Sequence, residues 1–148
     1  MDKSVVAVGA TVVAGGFIAL QAPINSTLGR TIGSIPAAAV SFTIGTIVLV
    51  AIVLLFSGGF GQIGEARNLS WYYLTGGVLG AIYVTTALIA VRELGAGGVT
   101  AATIAGQLGM SVAIDRAGLL GLAERELTPG RVLGVLLLAA GTFLVVSK

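Results

Sequence analysis

Uncharged hydrogen-bonding side chains interrupt the apolar stretches of this 148-residue chain at a small number of positions. The clearest are the amides of Gln21, Asn25 and Gln107. Each amide offers two N–H donors and a carbonyl acceptor, and a lipid bilayer satisfies none of them. In a membrane, such a group either bonds a neighbouring helix or lines a polar cavity, and both alternatives stay open. The chemistry that these residues support is hydrogen-bonded recognition of a solute.

The residues that most enzymes rely on are missing from the sequence. The chain contains no cysteine and no histidine, which excludes thiol nucleophiles, disulfides, cysteine-bound metals and the commonest general base. The glycine-rich stretch at 58–61 lacks the strand and helix of a phosphate-binding loop. We therefore expect no enzymatic activity, no metal and no cofactor. The net charge of +2 and the lack of a basic cluster argue against a nucleic acid partner.

The elements that must position the polar residues are apolar segments of membrane-spanning length. Hydrophobic residues make up 56% of the chain and charged residues only 9%, whereas soluble domains carry about 25% charged residues. A helix needs about 20 apolar residues to cross the hydrocarbon core. Candidate segments are 4–24, 36–56, 71–91, 94–114 and 129–147. The sequence thus predicts an all-α integral membrane protein, a bundle of five transmembrane helices in a single membrane domain, residues 1–148.

The distribution of basic residues indicates the orientation only weakly. With five spans, the side that holds the N-terminus carries five Lys and Arg residues, and the other side carries three. The positive-inside rule favours a cytoplasmic N-terminus on this count. So small a difference is also compatible with dual topology, in which the protein inserts in both orientations.

Projection of the predicted helices at 100° per residue groups polar side chains on common faces. In the fourth segment, Thr103, Gln107 and Ser111 share one face, opposite a stripe of small residues. The first and third segments also hold polar side chains that could face a substrate. The predicted substrate-binding residues are Gln21, Asn25, Tyr83, Thr103, Gln107 and Ser111. Packing between helices is the alternative role for each of them.

Glycines at four-residue spacing predict where helices approach one another closely. Such pairs occur in the third and fifth segments. The predicted packing and dimer positions are Gly76, Gly80, Gly130, Gly134 and Gly141. We expect the glycine stripe of the fifth segment to pack against a second copy of the chain.

The acidic residue Asp115 lies one position beyond the fourth predicted segment. No carboxylate lies within a span, although proton-coupled transporters usually carry an ionisable residue there. Asp115 is therefore the candidate coupling residue. The alternative is that it is solvated or pairs with Arg116 at the helix end.

Several stretches of the sequence resemble, in this order, those of a known transporter family. They are Gln21 and Asn25 followed by LGR at 28–30, AVSFTIGT at 39–46, TGGVLGA at 75–81, AGQL at 105–108, IDR at 114–116, GLLG at 118–121, LTP at 127–129 and RVLG at 131–134. Over nearly its whole length the chain resembles the YdcZ-like bacterial and archaeal transporters of the drug/metabolite transporter superfamily. It departs from the family pattern at Ser70, where a proline is usual, and at Arg116, where many members have histidine.

The resemblance implies a multi-pass protein of the bacterial or archaeal inner membrane, whose five helices are half of a ten-helix inverted-repeat transporter. Such a chain would complete the arrangement as an antiparallel homodimer or as a heterodimer with a paralogue. We expect a small-solute exporter that works by alternating access on small polar, neutral or zwitterionic metabolites or drugs. The alternatives are a non-transporting subunit that assembles with a larger partner, and a passive channel.

Overall fold

A computed structural model describes residues 2–147 of the chain, which form α-helices and the connections between them. Numbered in chain order, the α-helices are α1 (Lys3–Ile32), α2 (Ser34–Phe56), α3 (Gly76–Ala117) and α4 (Pro129–Val146). Short 3-10 helices lie at Ile63–Asn68, Trp71–Thr75 and Leu119–Gly121. Within residues 2–147, four helical segments are long and apolar enough to cross a membrane: α1, α2, α4 and Trp71–Ala117, which contains α3. The prediction of an all-helical chain with helices of membrane-spanning length is confirmed.

Helices α1 and α2 form a hairpin in the first of two compact units, which ends at Arg92. The carboxylate of Asp2 caps α1 by accepting the N–H of Ser4 at 3.1 Å, and hydrogen bonds from Ser4 lower the pKa of Asp2. A single residue, Gly33, joins the helices with φ 94° and ψ 151°, a conformation that favours glycine. Pro36 follows in the first turn of α2, where an N–H would have no partner within the helix.

The third and fourth predicted spans lie in one segment, Trp71–Ala117, which is kinked at Gly95, and residues 2–147 hold four rather than five candidate membrane helices. The predicted five-helix bundle is therefore not confirmed. The expected boundary at Arg92 and Glu93 is helical, and α3 leaves the helical conformation only at Gly95, with φ 69° and ψ 171°. The prediction followed the charged pair, whereas the break lies at the nearby residue that adopts a positive φ without strain. A straight helix as long as Trp71–Ala117, with its 47 residues, would measure about 70 Å, more than twice the hydrocarbon thickness of about 30 Å.

In the second compact unit, which begins at Glu93, α4 contacts the second part of α3. The hydroxyl of Thr142 donates to the carbonyl oxygen of Ala101 at 3.0 Å. Gly98 lies close by, and a Cβ built there would be 3.7 Å from Cγ2 of Val146. Two small residues of α3, Gly98 and Ala101, therefore lie at the contact with α4, and small residues are typical of contacts between membrane helices.

Local sequence sets the ends of the helices in this unit. Gly118 follows the last residue of α3 in the left-handed conformation, with φ 58°, a common way to terminate a helix. Thr128 caps α4 by accepting the N–H of Arg131 at 3.3 Å, and Pro129 is the first residue of the helix. The short connection therefore ends one helix and starts the next with residues suited to each position.

Large apolar side chains project outwards from all four helices. Val12 in α1, Leu55 in α2, Leu79 in α3 and Leu144 in α4 are between 63% and 75% exposed. Water-soluble proteins rarely expose contiguous apolar surface on this scale. In a bilayer, exposing these side chains has no free-energy cost, because the hydrocarbon chains of the lipid are as apolar as the side chains.

Candidate functional site

A groove of about 530 Å³ lies between α1 and α2 in the first unit. Three polar side chains line it, Gln21 and Asn25 from α1 and Ser41 from α2. The apolar side chains of the lining are Phe17, Ile18, Leu20, Ile24, Leu28, Val40 and Ile44. Because the chain reverses at Gly33, residues on the two sides of this glycine lie beside one another. The volume is in the range of pockets for small molecules, roughly 300–1,000 Å³.

Asn25 differs from the other two polar residues of the groove in its burial. It is only 5% exposed, whereas Gln21 is exposed and Ser41 is half-buried. Its Nδ2 atom is buried and has no hydrogen-bond partner among residues 2–147. Leaving such a donor unpaired costs about 1–3 kcal/mol, and most buried polar groups in proteins are paired. Asn25 is therefore the polar group of the groove that most needs an acceptor.

The electrostatic character of the groove follows from its lining, which includes no charged side chain. An ion that entered would lose its hydration without gaining a counter-charge, and that loss is large in an apolar environment. The amides of Gln21 and Asn25 and the hydroxyl of Ser41 can instead donate or accept neutral hydrogen bonds. The arrangement suits binding by hydrogen bonds and apolar contact rather than by ion pairing.

Pro23 lies inside α1 at the level of the groove, between Gln21 and Asn25. Proline has no N–H, so α1 lacks one internal hydrogen bond at this point. The hydroxyl of Thr27 donates to the carbonyl oxygen of Pro23 at 3.0 Å. The polar residues of α1 thus flank a place where the helix is weakened.

The structure places Tyr83 in a packed cluster rather than among the residues that line the groove. Its ring lies half-buried against Ala38, Val84 and Leu88, which form the apolar core of the first unit. This environment fits the packing alternative. The predicted contact of Tyr83 with a substrate stays a prediction.

The other three predicted site residues lie on α3 in the second unit. Thr103 is half-buried, while Gln107 and Ser111 are exposed. Helix α4 contacts this part of α3 at Ala101, which is about 120° around the helix from Gln107. The polar face predicted from the sequence is therefore left uncovered by α4, and its role in a substrate cavity stays a prediction.

Asp115 takes part in a network of charges where α3 ends and α4 begins. Its Oδ2 lies 3.4 Å from Nη2 of Arg131, and its carbonyl oxygen accepts the N–H of Arg125 at 2.8 Å. Arg116 pairs with Glu124 instead. The suggested pairing of Asp115 with Arg116 is wrong, because successive residues of a helix point about 100° apart. A coupling role for Asp115 stays a prediction.

Arg92 joins three helices at one end of the first unit, a contact that was not predicted from the sequence. Its Nε donates to Oγ of Ser26 on α1 at 3.2 Å, and its Nη2 donates to Oγ of Ser34 on α2 at 3.1 Å. Gly29 makes the approach possible, because a Cβ at this position would lie 3.0 Å from Nη2. Ser26 is buried beside Asn25, so Arg92 holds α1 in place next to the groove. The only sequence signal was the spacing of Ser26 and Gly29 on one face of α1.

The glycines predicted to mediate packing fall into two groups. Gly80 packs within the chain, since a Cβ there would lie 3.2 Å from the ring of Phe42. At Gly130 a Cβ would lie 4.0 Å from the hydroxyl of its own capping residue, Thr128. Within the described chain, a Cβ would meet open space at Gly76, Gly134 and Gly141. The glycine stripe of α4 is therefore uncovered in a single chain.

The sequence also matches a known protein family. The family model described as "Putative inner membrane exporter, YdcZ" matches residues 6–144, nearly the whole chain. No curated protein and no solved structure matches the chain significantly. The family match includes both the groove residues of α1 and α2 and the polar face of α3.

Proposed function

Because this chain belongs to the YdcZ family of inner-membrane exporters, we propose that it exports small solutes by alternating access. The substrates are small polar, neutral or zwitterionic metabolites or drugs. Family membership also implies that the protein acts by transport rather than by catalysis. The four apolar helical segments agree with its location in the inner membrane.

The observation that supports this proposal is the groove between α1 and α2. It combines apolar walls with Gln21, Ser41 and Asn25, whose Nδ2 has no partner in the described part of the chain. Ligand pockets for small molecules have this composition, with a few polar groups fixing the orientation of the ligand. The exposed amide of Gln107 on α3 would contribute a second polar surface during the transport cycle.

In this proposal the segment Trp71–Ala117 crosses the membrane twice and turns at Gly95. Its length allows two crossings of a core about 30 Å thick. The positive φ of Gly95 provides the helix break, and Arg92 and Glu93 beside it are the charged residues expected at a membrane surface. The chain then has five spans, an odd number, and its two ends lie on opposite sides.

Two copies of the chain, or one copy and a paralogue, would form the complete transporter. Five spans inserted in opposite orientations give the inverted repeat typical of secondary transporters. The weak bias in basic residues, five against three, is compatible with dual insertion. The uncovered glycine stripe of α4 is the surface that we assign to the contact between the two copies.

The test is uptake by the purified protein in proteoliposomes. Vesicles preloaded with one unlabelled solute receive the same solute in labelled form, using a panel of neutral and zwitterionic amino acid derivatives and sugars. A carrier gives saturable uptake that internal solute accelerates. Flux that rises linearly without saturation would indicate a channel, and no flux of any solute would favour a subunit role. Repeating the assay with a proton gradient shows whether transport is coupled to protons.

A further inference from the structure

Packing alone does not explain why a buried position of the groove holds an asparagine, Asn25. Its Nδ2 is shielded from water and lacks a partner within residues 2–147. A leucine is branched at the same atom, although it is larger, and would occupy the position without leaving a donor unpaired. The amide thus makes this conformation of the hairpin less stable than an apolar side chain would. A bound solute that supplies an acceptor removes the penalty.

We propose that Nδ2 of Asn25 is the recognition donor of the groove, that it pairs only when α1 and α2 open around a solute, and that this solute is an uncharged molecule with an oxygen acceptor and an apolar body. The inference rests on the proposed function and adds a ligand class and a link between binding and opening.

The ligand class follows from the lining of the groove. Seven of its residues are apolar, three are polar and none is charged, so the groove favours neutral molecules with a large apolar surface. Carbonyl, ether and hydroxyl oxygens are the uncharged acceptors that an amide N–H can bond. A zwitterion carries two charges that this lining does not balance. Within the broader set of substrates proposed above, the groove therefore selects the uncharged members.

The link to opening follows from the burial of Asn25. An acceptor must come within about 3 Å of Nδ2 to form a hydrogen bond. The buried Nδ2 does not admit an atom at that distance while the groove keeps its present width. Pro23, two positions earlier, removes a hydrogen bond from α1 and lowers the cost of a local change in the helix. A solute that binds only the open conformation shifts the population towards it.

The first test is the stability of Asn25→Leu without ligand. We expect its unfolding midpoint in detergent to rise by about 2–4 °C, because the unpaired donor is removed. Gln21→Leu is the matched control, since the amide of Gln21 is exposed in the same groove and can reach water or detergent headgroups, and its midpoint should rise less than that of Asn25→Leu. Asn25→Val repeats the test with a smaller side chain, since leucine can overpack a buried position. If both variants unfold earlier than the wild type, Asn25 is bonded within the protein and the proposal is overturned.

The second test compares three probes that share one aromatic ring and differ in charge. N-acetylphenylalaninamide is neutral, N-acetylphenylalanine is an anion, and phenylalaninamide is a cation at about pH 6, below the usual pKa of an α-amino group. We expect calorimetric titration to give at least about tenfold tighter binding of the neutral probe, because ions are desolvated in the groove. Equal affinity for a charged probe, or no binding of the neutral one, would overturn the ligand class.

Two variants test whether Asn25 is the residue that binds the neutral probe. Asn25→Leu should weaken binding of the neutral probe by about tenfold through the loss of its hydrogen bond. Thr11→Val, on the same helix but outside the groove, should bind like the wild type. Unchanged binding by Asn25→Leu would overturn the role of the donor.

Measuring both binding and transport shows whether the recognition role of Asn25 or the export function has failed. If the three probes bind in the expected order but no solute is carried in proteoliposomes, the export function is wrong and the recognition site stands. If the wild type carries solutes and Asn25→Leu carries and binds them equally well, the recognition role is wrong and the export function stands.

Discussion

At the scale of single residues, two amides of the chain have opposite environments. The Nδ2 of Asn25 is buried and has no hydrogen-bond partner within residues 2–147, while Gln107 projects from an apolar helix and is exposed. In a bilayer, an exposed amide must find a partner in another helix, in water or in a solute. The structure thus makes Asn25 a candidate for recognition and leaves Gln107 available for contact with a substrate or a second helix.

Replacement of Gln107 tests its role in transport. Gln107→Leu keeps the size of the side chain and removes its hydrogen bonds, so we expect transport in proteoliposomes to be abolished. Expression and dimer content should match the wild type, because the exposed position tolerates an apolar residue in lipid. The conservative change Met110→Leu, on the same helix, is the control and should leave uptake unchanged. If Gln107→Leu takes up solute at the wild-type rate, Gln107 has only a packing role.

The sequence anticipated part of the site. Gln21 and Asn25 were predicted together because polar residues at four-residue spacing share a helix face, and they do line one groove. Ser41 was not among the predicted site residues, because its place in the groove depends on how closely α2 approaches α1. The hydroxyl contacts of Arg92 escaped prediction for the same reason: they join residues 66 and 58 positions apart in the sequence.

At the scale of helices, hydropathy identified the apolar segments well and their boundaries less well. Apolar length decides whether a helix can cross a membrane, and length can be read directly from the sequence. The break between the third and fourth predicted spans depends instead on one backbone conformation, at Gly95. Many glycines in this chain are helical, so the sequence did not distinguish Gly95 from them.

Thiol labelling tests whether Trp71–Ala117 crosses the membrane twice. The chain has no cysteine of its own, so single cysteines can be read without background. With a turn at Gly95, Glu93→Cys should react with a water-soluble maleimide in opened membranes as readily as Gly64→Cys in the connection after α2. Ile82→Cys, within the span, should be unreactive. If Glu93→Cys were as silent as Ile82→Cys, the segment would cross the membrane only once. Reaction from either side counts, so dual topology does not affect the result.

At the scale of the whole molecule, the proposed dimer depends on the glycine stripe of α4. A side chain added at Gly134 meets open space in the described chain, so it should not disturb a single copy. Close contact between two helices at this position would leave no room for it.

Gly134→Leu therefore tests the dimer directly. We expect it to lower the association constant by at least about tenfold, as measured by crosslinking in membranes and by mass determination in detergent. Gly45→Leu, at a position in α2 with equally open space, is the matched control and should keep the dimer. A Gly134→Leu protein that dimerises like the wild type would remove α4 from the proposed interface.

The uncharged lining of the groove has a consequence for the energy source of export. Moving one elementary charge through 100 mV is worth about 2.3 kcal/mol, but a neutral groove with a neutral solute carries no charge through the field. We expect the same uptake rate under potassium diffusion potentials of either sign. A rate that follows the voltage would reveal an accompanying ion, with Asp115 as the first residue to examine. Without such an ion, the membrane potential, which is the electrical component of the proton-motive force, does no work on export. Only concentration differences can then drive export.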